Sequence, residues 1–97
     1  MSISEEAKKY FDLGVECYNN NDFEGAINNF TKAIEIDPNY KEAYFYLGIQ
    51  CCEINDFEEA INNFTKAIEI DPNYEEAYYN RGIIYRILQK YKEAIKE

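Results

Sequence analysis

The sequence predicts an all-α protein made of stacked helical hairpins, and three observations carry that expectation. A nineteen-residue segment, DFEGAINNFTKAIEIDPNY from Asp22 to Tyr40, returns from Asp56 to Tyr74 with only Gly25 changed, to Glu59, and the copies stand 34 residues apart. Within each copy the apolar residues recur at i, i+3, i+4 and i+7, the period of one helix face. Each copy closes on a proline, Pro38 or Pro72, and the residue before a proline is pushed out of helical space.

The elements follow in order. Phe57, Ala60, Ile61, Phe64, Ala67 and Ile68 form the apolar stripe of the second copy, which assigns Asn62, Asn63, Thr65 and Lys66 to its outer side. Asp56 is the expected N-cap, with Glu59 completing a capping box. Asp22 caps the first copy, where Gly25 forgoes the reciprocal bond. Asn39 and Asn73 are expected to cap the helices after the prolines, with Glu42 and Glu76 three residues on. The stretch KEAYFYLGIQCCEI places Tyr44, Leu47, Gly48 and Cys51 on one helix face. Each unit thus reads helix, short turn, helix, proline turn.

Composition narrows the function classes. The chain has 97 residues, 46% of them hydrophobic, enough for an ordered core despite 30% charged residues. A net charge of −9 argues against nucleic acid, whose phosphates need a Lys/Arg surface, and against an anionic membrane. No apolar run reaches the roughly 18–20 residues of a membrane span. The N-terminal MSISEEAKKYF lacks the basic start and apolar stretch of a signal peptide. Cys17, Cys51 and Cys52 are odd in number and lack zinc spacing, so free thiols in a reducing cytoplasm are expected. There is no histidine, which removes the usual general base and the commonest metal ligand. Paired acids such as Glu58 and Glu59 sit at helix starts, where they stabilise the positive end of the helix dipole. The sequence therefore predicts neither an enzyme nor a cofactor site.

Tyr10, Leu13, Gly14, Cys17, Ala26, Phe30 and Pro38 recur as Tyr44, Leu47, Gly48, Cys51, Ala60, Phe64 and Pro72, and in part as Tyr78, Arg81, Gly82, Tyr85 and Ala94. A hairpin with this spacing, repeating every 34 residues, resembles the tetratricopeptide repeat. The resemblance implies a right-handed superhelical solenoid of antiparallel helix hairpins, with repeats at 7–40 and 41–74 and a truncated third at 75–97. The glycines and alanines are then the places where the two helices of a hairpin meet. Cys17 and Cys51 stand where the family favours tyrosine. Arg81 replaces a leucine and is expected to lead its charge out to solvent. The final segment, Lys90–Glu97, reads as the weak start of a second helix that covers part of the first.

The resemblance also implies a site. First helices of such repeats line a concave groove that holds peptides, and here they present Phe11 and Val15, then Phe45, Tyr46 and Ile49, then Tyr79, Asn80 and Ile83. One branch of the family clamps a carboxylate terminus with Lys, Asn and Arg. The positions it uses hold Phe11, Val15, Tyr46, Glu76 and Asn80 here, so an acidic tail is disfavoured. The expected function is a non-catalytic scaffold for a neutral to basic protein or peptide. The alternatives are self-association through the C-terminal partial repeat, giving a homo-oligomer, and a fragment of a larger multidomain protein.

Overall fold

The computed structural model describes residues 4–96. The start of the N-terminal stretch and Glu97, the last residue of the expected third repeat, lie outside the described residues. Five helices follow one another: α1 Glu5–Asn19, α2 Phe23–Ile36, α3 Lys41–Glu53, α4 Phe57–Ile70 and α5 Glu75–Lys96. The described residues contain no strand. The closest pairings are α1 with α2 and α3 with α4, two antiparallel hairpins joined through α2–α3, with α5 added on α4. The radius of gyration is 14.1 Å and the extents 51 × 29 × 18 Å. A compact chain of this length has a radius of about 13 Å, so the stack is elongated, as a solenoid requires.

The hairpin turns explain the helix boundaries. After α1, Asn21 takes a left-handed φ of 59°, and after α3 Asn55 takes 62°; asparagine tolerates this region better than most residues. The Asp22 N–H then donates to the Cys17 carbonyl at 2.8 Å and the Asn21 N–H to Tyr18 at 3.1 Å. The same Schellman pairing recurs from Asp56 to Cys51 at 2.8 Å and from Asn55 to Cys52 at 3.0 Å. The aspartates next cap the following helix: Asp22 Oδ1 accepts the Gly25 N–H at 3.0 Å, and Asp56 Oδ1 accepts that of Glu59 at 3.3 Å. The capping box expected of Asp56 and Glu59 does not form, because the Asp56 N–H is already given to the Cys51 carbonyl, as that of Asp22 is to Cys17. Gly25 therefore loses no reciprocal bond. A Cβ there would lie 3.0 Å from Cys17 Sγ and closer still to the Asp22 carboxylate, whose flexible end can shift, and the same position of the second copy accommodates Glu59.

The proline turns also differ from expectation. The N-cap of α3 is Tyr40, with no side-chain cap bond. The Asn39 and Asn73 N–H groups donate to Asp37 and Asp71 Oδ1 at 3.1 and 3.0 Å, so the aspartate before each proline organises the turn.

Phe30 and Phe64 are fully buried, a placement that contributes roughly 1.5–3 kcal/mol each. A Cβ on Gly14 would come within 2.6 Å of the Phe30 ring, and one on Gly48 within 2.7 Å of the Phe64 ring. Gly82, the third of the series, meets nothing within 4 Å, so its expected place at a helix contact is not what is found. The reason lies further along α5. Gln89 and Lys90 stand where the earlier turn has Asn55 and Asp56. Without a left-handed residue and a capping carboxylate the helix does not break, and it runs unbroken to Lys96. Tyr91, Ala94 and Ile95 do not cover α5 as expected; all three are exposed.

Two outward assignments are also corrected. Asn63 is buried, and its Nδ2 donates to the Glu59 carbonyl at 3.0 Å and reaches Cys51 Sγ at 3.7 Å. Asn29 repeats this with Gly25 at 2.9 Å and Cys17 at 3.7 Å. Thr65 Oγ1 accepts a bond from Arg81 Nη1 at 2.9 Å, and the Arg81 guanidinium also lies over the rings of Tyr78 and Tyr85. Arg81 therefore ties α5 to α4 rather than leading its charge into water.

Gln50 is 0% exposed, and neither amide atom has a hydrogen-bond partner. One period later the position holds Ile84, at 2% exposure.

Two stability outcomes follow. Gly48→Ala lowers unfolding free energy by about 1–3 kcal/mol through overpacking, whereas Gly82→Ala is neutral or stabilises by up to about 1 kcal/mol through helix propensity; urea unfolding of the two variants distinguishes them. Gln50→Leu raises stability by about 1–3 kcal/mol, because an unpaired buried amide carries a desolvation cost of that size. A lowered urea midpoint for that variant would contradict the assignment.

Candidate peptide-binding face

The first helix of each unit supplies the candidate residues at matching register: Phe11, Phe45 and Tyr79 in one row, and Val15, Ile49 and Ile83 in another. Each residue lies inside α1, α3 or α5, so its direction is set by a helix rather than a loop.

The aromatic contacts repeat from one hairpin to the next. Phe11 stacks on Tyr40 with ring centroids 4.9 Å apart and meets Phe30 at 5.6 Å. Phe45 stacks on Tyr74 at 5.2 Å and meets Phe64 at 5.7 Å. Tyr46 joins the two sets. It stacks on Phe30 at 5.6 Å, with an interplanar angle of 17°, and touches Phe11 at 5.6 Å, Tyr18 at 5.9 Å and Phe45 at 5.5 Å. Phe11, Tyr46 and Phe45 thus form one continuous aromatic run across the junction of the hairpins. These residues are half-buried and serve the packing as well as offering a surface.

The other candidates are placed differently. Ile49 packs against the core around Phe64, and Val15 is half-buried. Tyr79 is 72% exposed and stands free of the aromatic run. Asn80 donates from Nδ2 to the Glu76 carbonyl at 2.7 Å, which ties down its amide. Ile83 lines a shallow depression with Arg86, Ile87 and Lys90. The structure therefore brings Phe11, Phe45 and Tyr46 together and leaves Tyr79, Asn80 and Ile83 as a separate group on α5. Tyr40 and Tyr74, the turn residues that back Phe11 and Phe45, were missed by the sequence reading. Their signal was present, since each closes the repeated DPNY.

Beside this face lies an acidic corner, a depression lined by Lys41, Glu42, Asp71, Asn73, Tyr74, Glu75 and Glu76. Its one cation is engaged: Lys41 Nζ donates to Asp71 Oδ2 at 2.7 Å. The bond from Lys41, helped by the Asn73 N–H, holds the Asp71 carboxyl below the usual carboxylate range, and the same bond raises Lys41. Burial, followed by the charges of Asp12, Glu42 and Asp37, pushes the Tyr40 hydroxyl up to about 12. Burial and Glu42, Glu76 and Asp71 raise Tyr74 as well. Both phenols stay neutral near pH 7 and serve as stacking rings.

Cys17, Cys51 and Cys52 are free. Burial pushes Cys51 up to about 11 and also raises Cys52, which suppresses the reactive thiolate. Among the described residues, no group of three or more His, Cys, Asp or Glu side chains could hold a metal ion. Among the described residues, no helix is long and apolar enough to cross a membrane.

The family profile described as TPR repeat matches residues 9–49 and 50–86. The chain belongs to the TPR repeat family. Solved structures agree. A crystal structure of MamA superposes with a TM-score of 0.86 at 28% identity, over 94% of this chain and 53% of that one. The TPR2B domain of yeast Sti1, in a structure titled as its pHsp70 complex, gives 0.85 at 27% identity over 96% and 74%. The second TPR of Spaghetti (RPAP3), bound to the HSP90 peptide SRMEEVD, gives 0.85 at 27% identity over 95% and 85%. The chain spans about half the length of the MamA structure. No curated protein matches it. TPR folds generally act as protein-interaction scaffolds, and the Spaghetti TPR carries a bound peptide.

The acidic corner makes a pH signature. The folded state holds Asp71 below its ordinary value, so the carboxylate stabilises the fold above the ordinary carboxylate range, and this is lost as pH falls through the folded value. Lys41 mirrors it: its share is complete below the ordinary lysine range and is lost as pH rises through its raised value. Asp71→Asn should lower the thermal midpoint slightly near pH 7 and reduce its fall upon acidification. Parallel acid limbs in the two proteins would show that the pair contributes nothing.

Proposed function

We propose that the chain is a non-catalytic interaction scaffold that binds a neutral to basic peptide along the face made by α1, α3 and α5. The observation that carries this reading is the aromatic run Phe11–Tyr46–Phe45, with exposed Tyr79 at the matching register of α5 and carboxylates at the border. Large rings offer contact area at low entropic cost, and half-exposed apolar stripes of this kind mark interaction surfaces. Glu42, Glu75 and Glu76 leave the adjoining corner acidic because Asp71 already occupies Lys41. The carboxylate-clamp positions hold no cation, which sets this face apart from one suited to an acidic tail. The three free cysteines support a place in the reducing cytoplasm.

A displayed library of random peptides, selected on the intact chain, tests the reading. The selected peptides should be rich in apolar residues and carry zero or positive net charge, and SRMEEVD should not bind. Tyr79→Ser should weaken the selected peptides about tenfold, a cost near 1.4 kcal/mol, while the urea midpoint stays unchanged because the ring is exposed. Selection of acidic peptides would overturn the charge assignment; full affinity in the Tyr79→Ser variant would move the site off α5. Tyr79 is the cleaner probe, because Phe45, Tyr46 and Ile49 also hold the hairpins together.

A further inference from the structure

The register of α5 places two complementary surfaces on one rigid helix. Tyr91, Ala94 and Ile95 lie one period beyond Phe57, Ala60 and Ile61. In the second hairpin Phe57, Ala60 and Ile61 pack in the cluster that contains Cys51 and Phe64. One period beyond Cys51 and Gly48 stand Tyr85 and Gly82. Residues 90–96 therefore have the pattern of a second helix, and residues 75–88 that of the first helix it would cover. In α2 and α4 the turn brings the two together. In α5 no turn forms, so the covering segment points away. Tyr91 is 57% exposed and Ile95 84% exposed, Tyr85 is half uncovered, and Gly82 faces open space.

We infer that this face is an interface with a second copy of the chain, in which each α5 lays its Lys90–Lys96 segment on the Tyr85 side of the other. A continuous helix cannot fold onto itself, but two of them related by a two-fold axis can exchange the segment, as in domain swapping. The second copy's Ala94 then takes, beside Tyr85, the place Ala60 takes in the cluster with Cys51, and its Ile95 follows Ile61. The pairing is antiparallel, like every hairpin in the array. It is apolar at its centre and works against charge, because Arg81, Arg86, Lys90, Lys92 and Lys96 outnumber Glu93 in the paired stretch. Salt should therefore strengthen it. A head-to-tail contact between the basic end of α5 and the acidic body would weaken with salt.

Sedimentation equilibrium of the intact chain over a wide concentration range, at low and high salt, reads the outcome directly. The expected result is a reversible two-chain species favoured by high salt. Ala94→Arg should abolish it while leaving the circular dichroism of the dilute chain unchanged, since Ala94 is exposed in the single chain. Gln89→Asn with Lys90→Asp restores the turn residues of the second hairpin and should convert the dimer into a closed single chain. A single-chain mass at every concentration would overturn the proposal. So would a dimer indifferent to Ala94→Arg, or an open series of higher oligomers that dissolves in salt. Peptide capture by the Tyr79 face is a separate measurement, so the two readings fail separately.

Discussion

The contact of a phenylalanine ring with a missing side chain organises the protein. Phe30 lies over Gly14 and Phe64 over Gly48, each closer than a Cβ would permit. That approach sets the distance between the helices of a hairpin, and much else follows from it. The alanines at 26, 33, 60 and 67 are fully buried because helices this close leave no room for more. Cys17 and Cys51 fit where a larger ring would not be needed, with the Asn29 and Asn63 amides reaching their sulfurs. Phe11 and Phe45 in turn rest on the buried rings, so the candidate binding face is the outer side of the same contact.

The turns convert this local contact into an array. An asparagine with positive φ ends one helix, and the next residue, an aspartate, donates its N–H backward and accepts an N–H forward. Two adjacent residues thus finish one helix and start the next. Where Gln89 and Lys90 replace them, both functions vanish together and two helices become one.

Much of this was legible in the sequence. The 34-residue repeat gave the hairpins, their glycines and the phenylalanines, because helical period and apolar identity agree at those positions. What escaped involves polar residues in dry places. Asn63 was assigned outward because the period alone counts it as polar, yet its amide can bond the carbonyl one turn back and present its apolar side to the core. Gln50 looked like any helix residue, and only the packing of α3 against its neighbours buries it. The capping box was expected from local spelling, but the Schellman bond had already taken the aspartate N–H. The read-through of α5 was half visible: the weak cap at Lys90 was legible, and its consequence, one fused helix rather than a second helix folded back, was not. The site residues were placed by register, which identifies equivalent positions but not how far neighbouring rings engage them.

Tyr46 sits astride the joint between the hairpins, touching Phe30 on one side and Phe45 on the other. A guest lying along this ring would rest on both modules at once and act as a splint across them. Bending or stretching the 51 Å long axis would part the surfaces under that splint. Affinity for such a guest and stiffness against deformation would then be governed by the same few rings.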